Sequence, residues 1–183
     1  MKARIGKARQ AFTSLKPIWS SKKISLKTKL KLYNSNVKTV LLYGSESWKT
    51  THEIVRKLRV FTHKRLRFLL GIRWPQKITN FEVRNICKQE DIMVSFTRRK
   101  WTWIGHVLRG DPNSVSREGL FWTPERKRQR GRPKPTWRRT ADKELKSINL
   151  TWSEIWKVAQ DRVHWRELVA ALCVPWRNKE RLR

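Results

Sequence analysis

The stretch Asp91-Ile-Met-Val-Ser-Phe-Thr-Arg-Arg-Lys-Trp-Thr-Trp-Ile-Gly-His-Val-Leu-Arg109 decides the fold, because it is a clear amphipathic helix. On a helical wheel its apolar side chains fall within an arc of about 160°. They are Met93, Phe96, Trp101, Trp103, Ile104, Val107 and Leu108. The opposite face carries Arg98, Arg99, Thr102, His106 and Arg109. Asp91 suits the N-cap and Gly110 the C-terminal stop.

The wheel assigns Trp101 and Trp103 to the core rather than to a base-stacking surface, because both lie on the apolar arc. Lys100 breaks the pattern, and we expect it to extend along the edge of the arc with its ammonium in water. The basic outer face of this helix is the better candidate for contact with a partner.

Helical spacing of apolar residues continues along the chain, and no run has the alternation of a β-strand, so the predicted class is all-α. Capping boxes at Thr50, Thr79 and Thr151 each predict a helix start. The helix after Thr50 has an apolar stripe of Ile54, Leu58, Phe61, Phe68 and Leu69. Its predicted opposite face is again basic, with Arg56, Arg59, His63 and Arg67.

The final helix is predicted as one continuous element over residues 152–172. Arg162 and Arg166 then fall within its apolar arc, where each would need a carboxylate or phosphate partner. Residues 177–183 are expected to form a frayed tail.

Charge is the dominant property of the composition. The 183 residues include 44 Lys and Arg against 14 Asp and Glu, a net charge of +30. Such self-repulsion favours a polyanionic partner, and nucleic acid is the leading candidate. Cys87 and Cys173 are too few for a disulfide framework, and the longest apolar run, Val40-Leu-Leu-Tyr43, is too short for a membrane span. We therefore expect an intracellular protein without a membrane partner.

Residues 123–139 form a different kind of segment, with eight Lys or Arg, one Glu, three prolines and no apolar period. We expect this strap to be extended and to bind phosphates. Its predicted contacts are Arg126, Lys127, Arg128, Arg130, Arg132, Lys134, Arg138 and Arg139. Arg130-Gly-Arg-Pro133 resembles an AT-hook core, which lies in the narrow minor groove of A·T-rich DNA, although Gln129 stands where that family has proline. The basic cluster at 126–128 also fits a nuclear import signal, so a nuclear location is expected.

Motifs of catalysis and metal binding are missing from the sequence. The aspartates are scattered, with no close pair suited to two Mg²⁺ ions, and no phosphate-binding glycine loop or nucleophile elbow is present. Cys87, His106, His164 and Cys173 lack the close pairing of a zinc finger or knuckle. We therefore predict no enzyme activity of its own, no cofactor, no metal and no small-molecule substrate.

Several stretches together resemble the C-terminal end of LINE-type (non-LTR) retrotransposon endonuclease–reverse transcriptases. They include Leu26-Lys-Thr-Lys-Leu30, Val40-Leu-Leu-Tyr-Gly-Ser-Glu-Ser-Trp48, Leu70-Gly-Ile-Arg-Trp-Pro75, Arg98-Arg-Lys-Trp-Thr-Trp-Ile-Gly-His106, Gly131-Arg-Pro133 and Thr136-Trp-Arg-Arg139. In that family the polymerase's aspartate motif lies upstream of the region matched here. The resemblance implies a thumb-like helical unit and a downstream segment that binds template RNA and target DNA without catalysis.

The resulting organisation has a thumb-like unit at 1–75, a helical segment with a basic face at 76–111, a basic linker at 112–135 and a C-terminal helical pair at 136–176. The linker is expected to be the hinge between the helical units. Two other interpretations stay open. The chain could be a freestanding AT-hook-like DNA- or chromatin-binding protein, or a retroelement relic without a working product.

Overall fold

The computed structural model describes residues 1–122 and 136–178, and regular structure in these residues is helical, which confirms the all-α class. The α-helices are α1 (Lys2–Ser14), α2 (Lys16–Ser20), α3 (Leu26–Leu32), α4 (Thr39–Leu41), α5 (His52–Leu69), α6 (Asn80–Ile86), α7 (Ile92–Arg109), α8 (Val115–Phe121), α9 (Trp137–Lys146), α10 (Trp152–Gln160) and α11 (Arg162–Asn178). A π-helical turn over Tyr33–Lys38 joins α3 to α4, and a short 3₁₀ turn over Ser45–Ser47 follows α4.

Capping side chains fix several helix starts. The predicted capping boxes at Thr79 and Thr151 are both present, with Glu82 and Glu154 reaching back to the cap. The predicted box at Thr50 is wrong by one residue, because Thr51 accepts the backbone N–H of Ile54 and α5 begins at His52.

The prediction of one continuous C-terminal helix is also wrong. Asp161 adopts an extended conformation and separates α10 from α11, and its carboxylate accepts the backbone N–H of Val163 at 2.7 Å. Because the helix restarts there, its phase shifts, and Arg162 and Arg166 are exposed rather than within the apolar arc. The helix continues through Asn178, so the predicted fraying at residues 177 and 178 is wrong, and residues 179–183 lie outside the described residues.

Helix α7 belongs to two hydrophobic cores. Its N-terminal half supplies Ile92, Met93 and Phe96 to an N-terminal core that also holds side chains of α1 to α6. Its C-terminal half supplies side chains to a C-terminal core with α8 to α11. Those α7 side chains are Trp101, Ile104, Val107 and Leu108. The predicted apolar arc is thus confirmed as buried or, for Trp103, half-buried.

Helices α7 and α11 approach each other closely at Gly105. A Cβ built there would stand 2.1 Å from the indole Nε1 of Trp165. That indole donates a hydrogen bond of 3.1 Å to the carbonyl oxygen of Trp101. Glycine at this position therefore allows an indole ring to lie directly on the helix backbone.

The predicted linker at 112–135 contains α8, which buries Arg117 and Leu120. Arg138, at the start of α9, donates to the carbonyl of Leu120 at 3.2 Å and stacks on the Phe121 ring at 5.1 Å. The Trp137 indole donates to the carbonyl of Glu46 at 2.7 Å. Leu120 and Arg138, which lie on the two sides of residues 123–135, are therefore in contact. The hinge stays a prediction, because residues 123–135 lie outside the described residues. Within the described residues, no helix is long and apolar enough to cross a membrane.

Candidate nucleic-acid interface

The face of α5 that was predicted to be basic and exposed is largely covered. His63 is 5% exposed and lies 3.3 Å from a guanidinium nitrogen of Arg84. Arg59 forms an ion pair of 2.9 Å with Asp91. The predicted exposure of His63 is wrong because α6 and the start of α7 pack on this side of α5. The buried face of α5 therefore differs from the predicted one, and Phe68, which was predicted to be buried, is 45% exposed.

Arg56 and Arg67 complete the predicted α5 set. Arg67 donates to the carbonyl of Ile78 at 2.9 Å and to the side-chain oxygen of Asn80 at 2.8 Å, so it anchors the loop after α5. Arg56 is exposed. Arg67 therefore stabilises the fold, whereas Arg56 is exposed to solvent and can contact a ligand.

The predicted basic face of α7 is confirmed as exposed or half-buried, but several of its cations already have partners. Arg98 pairs with Glu90 at 3.0 Å, and Arg99 pairs with Glu46 at 2.9 Å. Arg109 donates to the carbonyl of Ala159 at 3.0 Å. Burial, followed by repulsion from Arg162, lowers the pKa of Arg109. His106 is exposed on the same face.

Lys100 is not at the edge of the apolar arc. Its side chain is 0% exposed, and its ammonium pairs with Glu144 at 2.8 Å. The Trp101 indole donates to the same carboxylate at 2.6 Å. The edge prediction is wrong because α9 lies over this side of α7 and supplies the carboxylate.

Most of the predicted strap contacts lie outside the described residues. These are Arg126, Lys127, Arg128, Arg130, Arg132 and Lys134. Arg138 and Arg139 are half-buried in the first turn of α9, and Arg138 is held by Leu120 and neighbouring aromatic rings.

A groove between α1 and α5, which we call the α1–α5 groove, brings Arg56 together with five cations that the sequence did not single out. Its volume is about 690 Å³. The cationic lining consists of Lys2, Arg9, Arg56, Lys57, Lys64 and Arg65. The apolar lining consists of Ile5, Val60 and Phe61, and Gly6 completes it. None of the described residues that line this groove carries a carboxylate.

The cations of the α1–α5 groove repel one another. Burial, followed by repulsion from Arg9, lowers the pKa of Arg65. The Arg65 guanidinium lies over the rings of Phe12 at 4.8 Å and Phe61 at 5.3 Å, and these contacts restrict its position in the groove lining. Lys57 pairs with Glu53, a residue that does not line the groove, and this hydrogen bond lowers the pKa of Glu53. An anion bound in the groove would relieve this repulsion.

One periodic signal could have located the groove. Lys2 and Arg9 are seven residues apart, and so are Lys57 and Lys64, which places each pair on one helix face two turns apart. The predicted basic face of α5 instead included Arg59 and His63, which do not line the groove. When aromatic and basic residues occur on every side of a helix, the helical period alone does not show which side packs against distant elements.

The described histidines and cysteines do not assemble into a metal site. Cys87 and Cys173 are buried and are not joined by a disulfide bond, and burial raises the pKa of Cys87 to about 11. His106 and His164 are exposed. No group of three or more His, Cys, Asp or Glu residues in the described ranges could hold a metal ion.

Comparison with known proteins gives a family match and a relative. Residues 11–43, from the last turn of α1 to just beyond α4, match a family described as a domain of unknown function (DUF6451). The chain is also similar to an uncharacterized transposon-derived protein of Caenorhabditis elegans, with 28% identity over 155 residues. That alignment covers 78% of this chain and 54% of the relative.

The chain thus spans about half the length of the curated relative that it matches. No solved structure matches the chain. The similarity to a transposon-derived protein agrees with a transposon origin for this sequence.

Proposed function

We propose that this chain is a non-catalytic segment of a transposon-encoded, LINE-type reverse transcriptase, and that it holds a nucleic-acid backbone in the α1–α5 groove. The observation that carries the proposal is the set of six cations in that groove, lined by no described carboxylate. The transposon-derived relative and the sequence resemblance supply the context. Template RNA and target DNA are the substrates that the resemblance implies.

The groove suits a phosphodiester backbone better than a compact anion. Its cations extend along α5 from Arg56 to Arg65, a rise of roughly 14 Å. Successive phosphates on one strand of a duplex are about 3.4 Å apart along the axis, so this length accommodates about four of them. Each cation that neutralises a phosphate releases a condensed counterion, and binding should therefore weaken steeply with salt.

Other predicted contacts have supporting roles in the proposal. His106 and the partly accessible Arg98 and Arg99 would add contacts on α7. The strap cations would add a second set of phosphate contacts. The basic cluster at 126–128 would direct the protein to the nucleus. All of these contacts position the nucleic acid, while the reaction chemistry of the parent enzyme belongs to its upstream domains.

Salt-dependent binding tests the proposal. Affinity for single-stranded RNA, duplex DNA and an RNA–DNA hybrid would be measured over a salt series. The test variant replaces Arg9, Arg56 and Lys64, all exposed, with glutamine. We expect its salt slope to be smaller by about 2–3 than that of the wild type, because each phosphate that is no longer neutralised reduces the slope by about 0.7–0.9.

A matched variant controls for the reduction in total charge. Replacing Lys157, Arg162 and Arg166 with glutamine also removes one lysine and two arginines from exposed positions, on α10 and α11. We expect this variant to retain most of the wild-type slope. Equal reductions in both variants would refute the groove as the binding surface, and a wild type that binds none of the three ligands near physiological salt would refute nucleic-acid binding.

A further inference from the structure

Trp74 is nearly free of protein contact. Its side chain is 92% exposed, the largest value among the exposed large hydrophobic residues in the described part of the chain. Trp19, Trp101 and Trp165 are each at most 3% exposed. An indole in water gains none of the burial free energy that stabilises these other tryptophans.

The loop that carries Trp74 is fastened at both ends. At its start, the backbone N–H of Ile72 donates to the carbonyl of Arg67 at 3.0 Å. At its end, Arg67 binds the carbonyl of Ile78, whose side chain packs against the N-terminal core. A turn hydrogen bond of 2.9 Å joins the Gln76 N–H to the Arg73 carbonyl across the tip. Trp74 therefore projects from a loop whose ends are held in place.

The tip of this loop is cationic, and the loop follows the C-terminal end of α5, the helix that lines one side of the α1–α5 groove. Arg73 and Lys77, which flank the Trp74–Pro75 pair, are both exposed. Along α5, Lys64 and its last residue, Leu69, are separated by about 8 Å, or roughly two nucleotide steps at 3.4 Å, and the loop begins just beyond Leu69. A strand whose phosphates follow the groove cations can thus reach the loop within a few nucleotides.

We infer that Trp74 is a stacking platform for an unpaired base of a nucleic-acid strand whose backbone lies in the α1–α5 groove. This inference rests on the proposed function. An exposed indole flanked by cations suits a base, since its flat face stacks on any base while the neighbouring charges attract the adjacent phosphates. The site would therefore favour single strands and single-stranded overhangs over blunt duplexes, with little sequence preference.

Substitution of Trp74 tests the inference on the full chain. We expect Trp74→Ala to weaken binding of a single-stranded oligonucleotide by about 5- to 150-fold, the range for removal of one base stack. Binding of a blunt duplex should change less than twofold, and the salt slope should not change, because no charge is removed. Trp74→Phe, which keeps an aromatic face, should recover most of the affinity. The thermal midpoint should stay at the wild-type value, since the side chain packs against almost nothing.

A fluorescent base analogue gives a second readout. With 2-aminopurine at successive positions of the strand, wild type should quench one position, and Trp74→Ala should abolish that quenching. Trp122→Ala is the matched control, because Trp122 is 64% exposed and distant in sequence from the loop. It should leave both affinity and quenching unchanged.

The outcomes separate the two proposals. If the wild type binds no nucleic acid, the proposed function fails. If the wild type binds and the groove variant loses salt dependence, but Trp74→Ala binds single strands as the wild type does, the stacking inference alone is overturned. An equal loss of affinity with Trp122→Ala would also overturn it.

Discussion

Lys100 is buried in the C-terminal half of the molecule beside a carboxylate and two indoles. Its ammonium lies 2.8 Å from Glu144, 5.6 Å from the centroid of the Trp101 ring and 5.7 Å from that of Trp137. Burial lowers the pKa of Lys100, and Glu144 opposes that effect. This ion pair links α9 to α7. It explains why a charged residue lies among the apolar residues in the helical period of α7.

Removal of the carboxylate should expose the cost of this buried charge. We expect Glu144→Leu to lower the free energy of unfolding by about 3–5 kcal/mol, because it leaves the Lys100 ammonium buried without a counterion. The double variant Lys100→Met with Glu144→Leu should recover most of that stability. Chemical denaturation of the single variants and the double variant measures both effects. Additive destabilisation in the double variant would show that the two side chains do not interact.

A helix could be predicted from the sequence where the pattern that specifies it lies within the helix itself. The helix over 92–109 has a strong period and a capping aspartate, so its bounds and buried face follow from the sequence. The partner of Lys100 was not predictable, because Glu144 is 44 residues away on another helix. The break at Asp161 was missed because apolar residues continue on both sides of it, and α8 was missed because prolines and cations dominate the segment around it.

The contact of α7 with α11 depends on a glycine that periodicity does not explain. We expect Gly105→Ala to destabilise the protein by about 1–3 kcal/mol, because the added Cβ would displace the Trp165 indole and its hydrogen bond to the Trp101 carbonyl. Gly119→Ala in α8 is the control, since a Cβ there meets nothing within 4 Å. It should be neutral or stabilising by up to about 1 kcal/mol. Equal effects in thermal unfolding would contradict this account of the interface.

In the whole molecule, the cationic surface is divided between side chains that hold the fold and side chains that face solvent. Arg59, Arg67, Lys100 and Arg138 each have a carboxylate or carbonyl partner within the chain. Composition predicts a polyanionic partner, but it cannot separate these two groups, because the partners come from distant helices. The α1–α5 groove follows only from the packing that brings α1 beside α5.

Lysine footprinting tests the central claim most directly, because it reports where the nucleic acid lies on the unmodified protein. Acetylation rates of individual lysines would be measured by mass spectrometry with and without a saturating single-stranded oligonucleotide. We expect Lys2, Lys57 and Lys64 of the groove to be protected several-fold, and Lys143, Lys146 and Lys157 on α9 and α10 to react at nearly unchanged rates. Protection that is equal in the two sets, or confined to the second, would contradict the groove as the nucleic-acid interface.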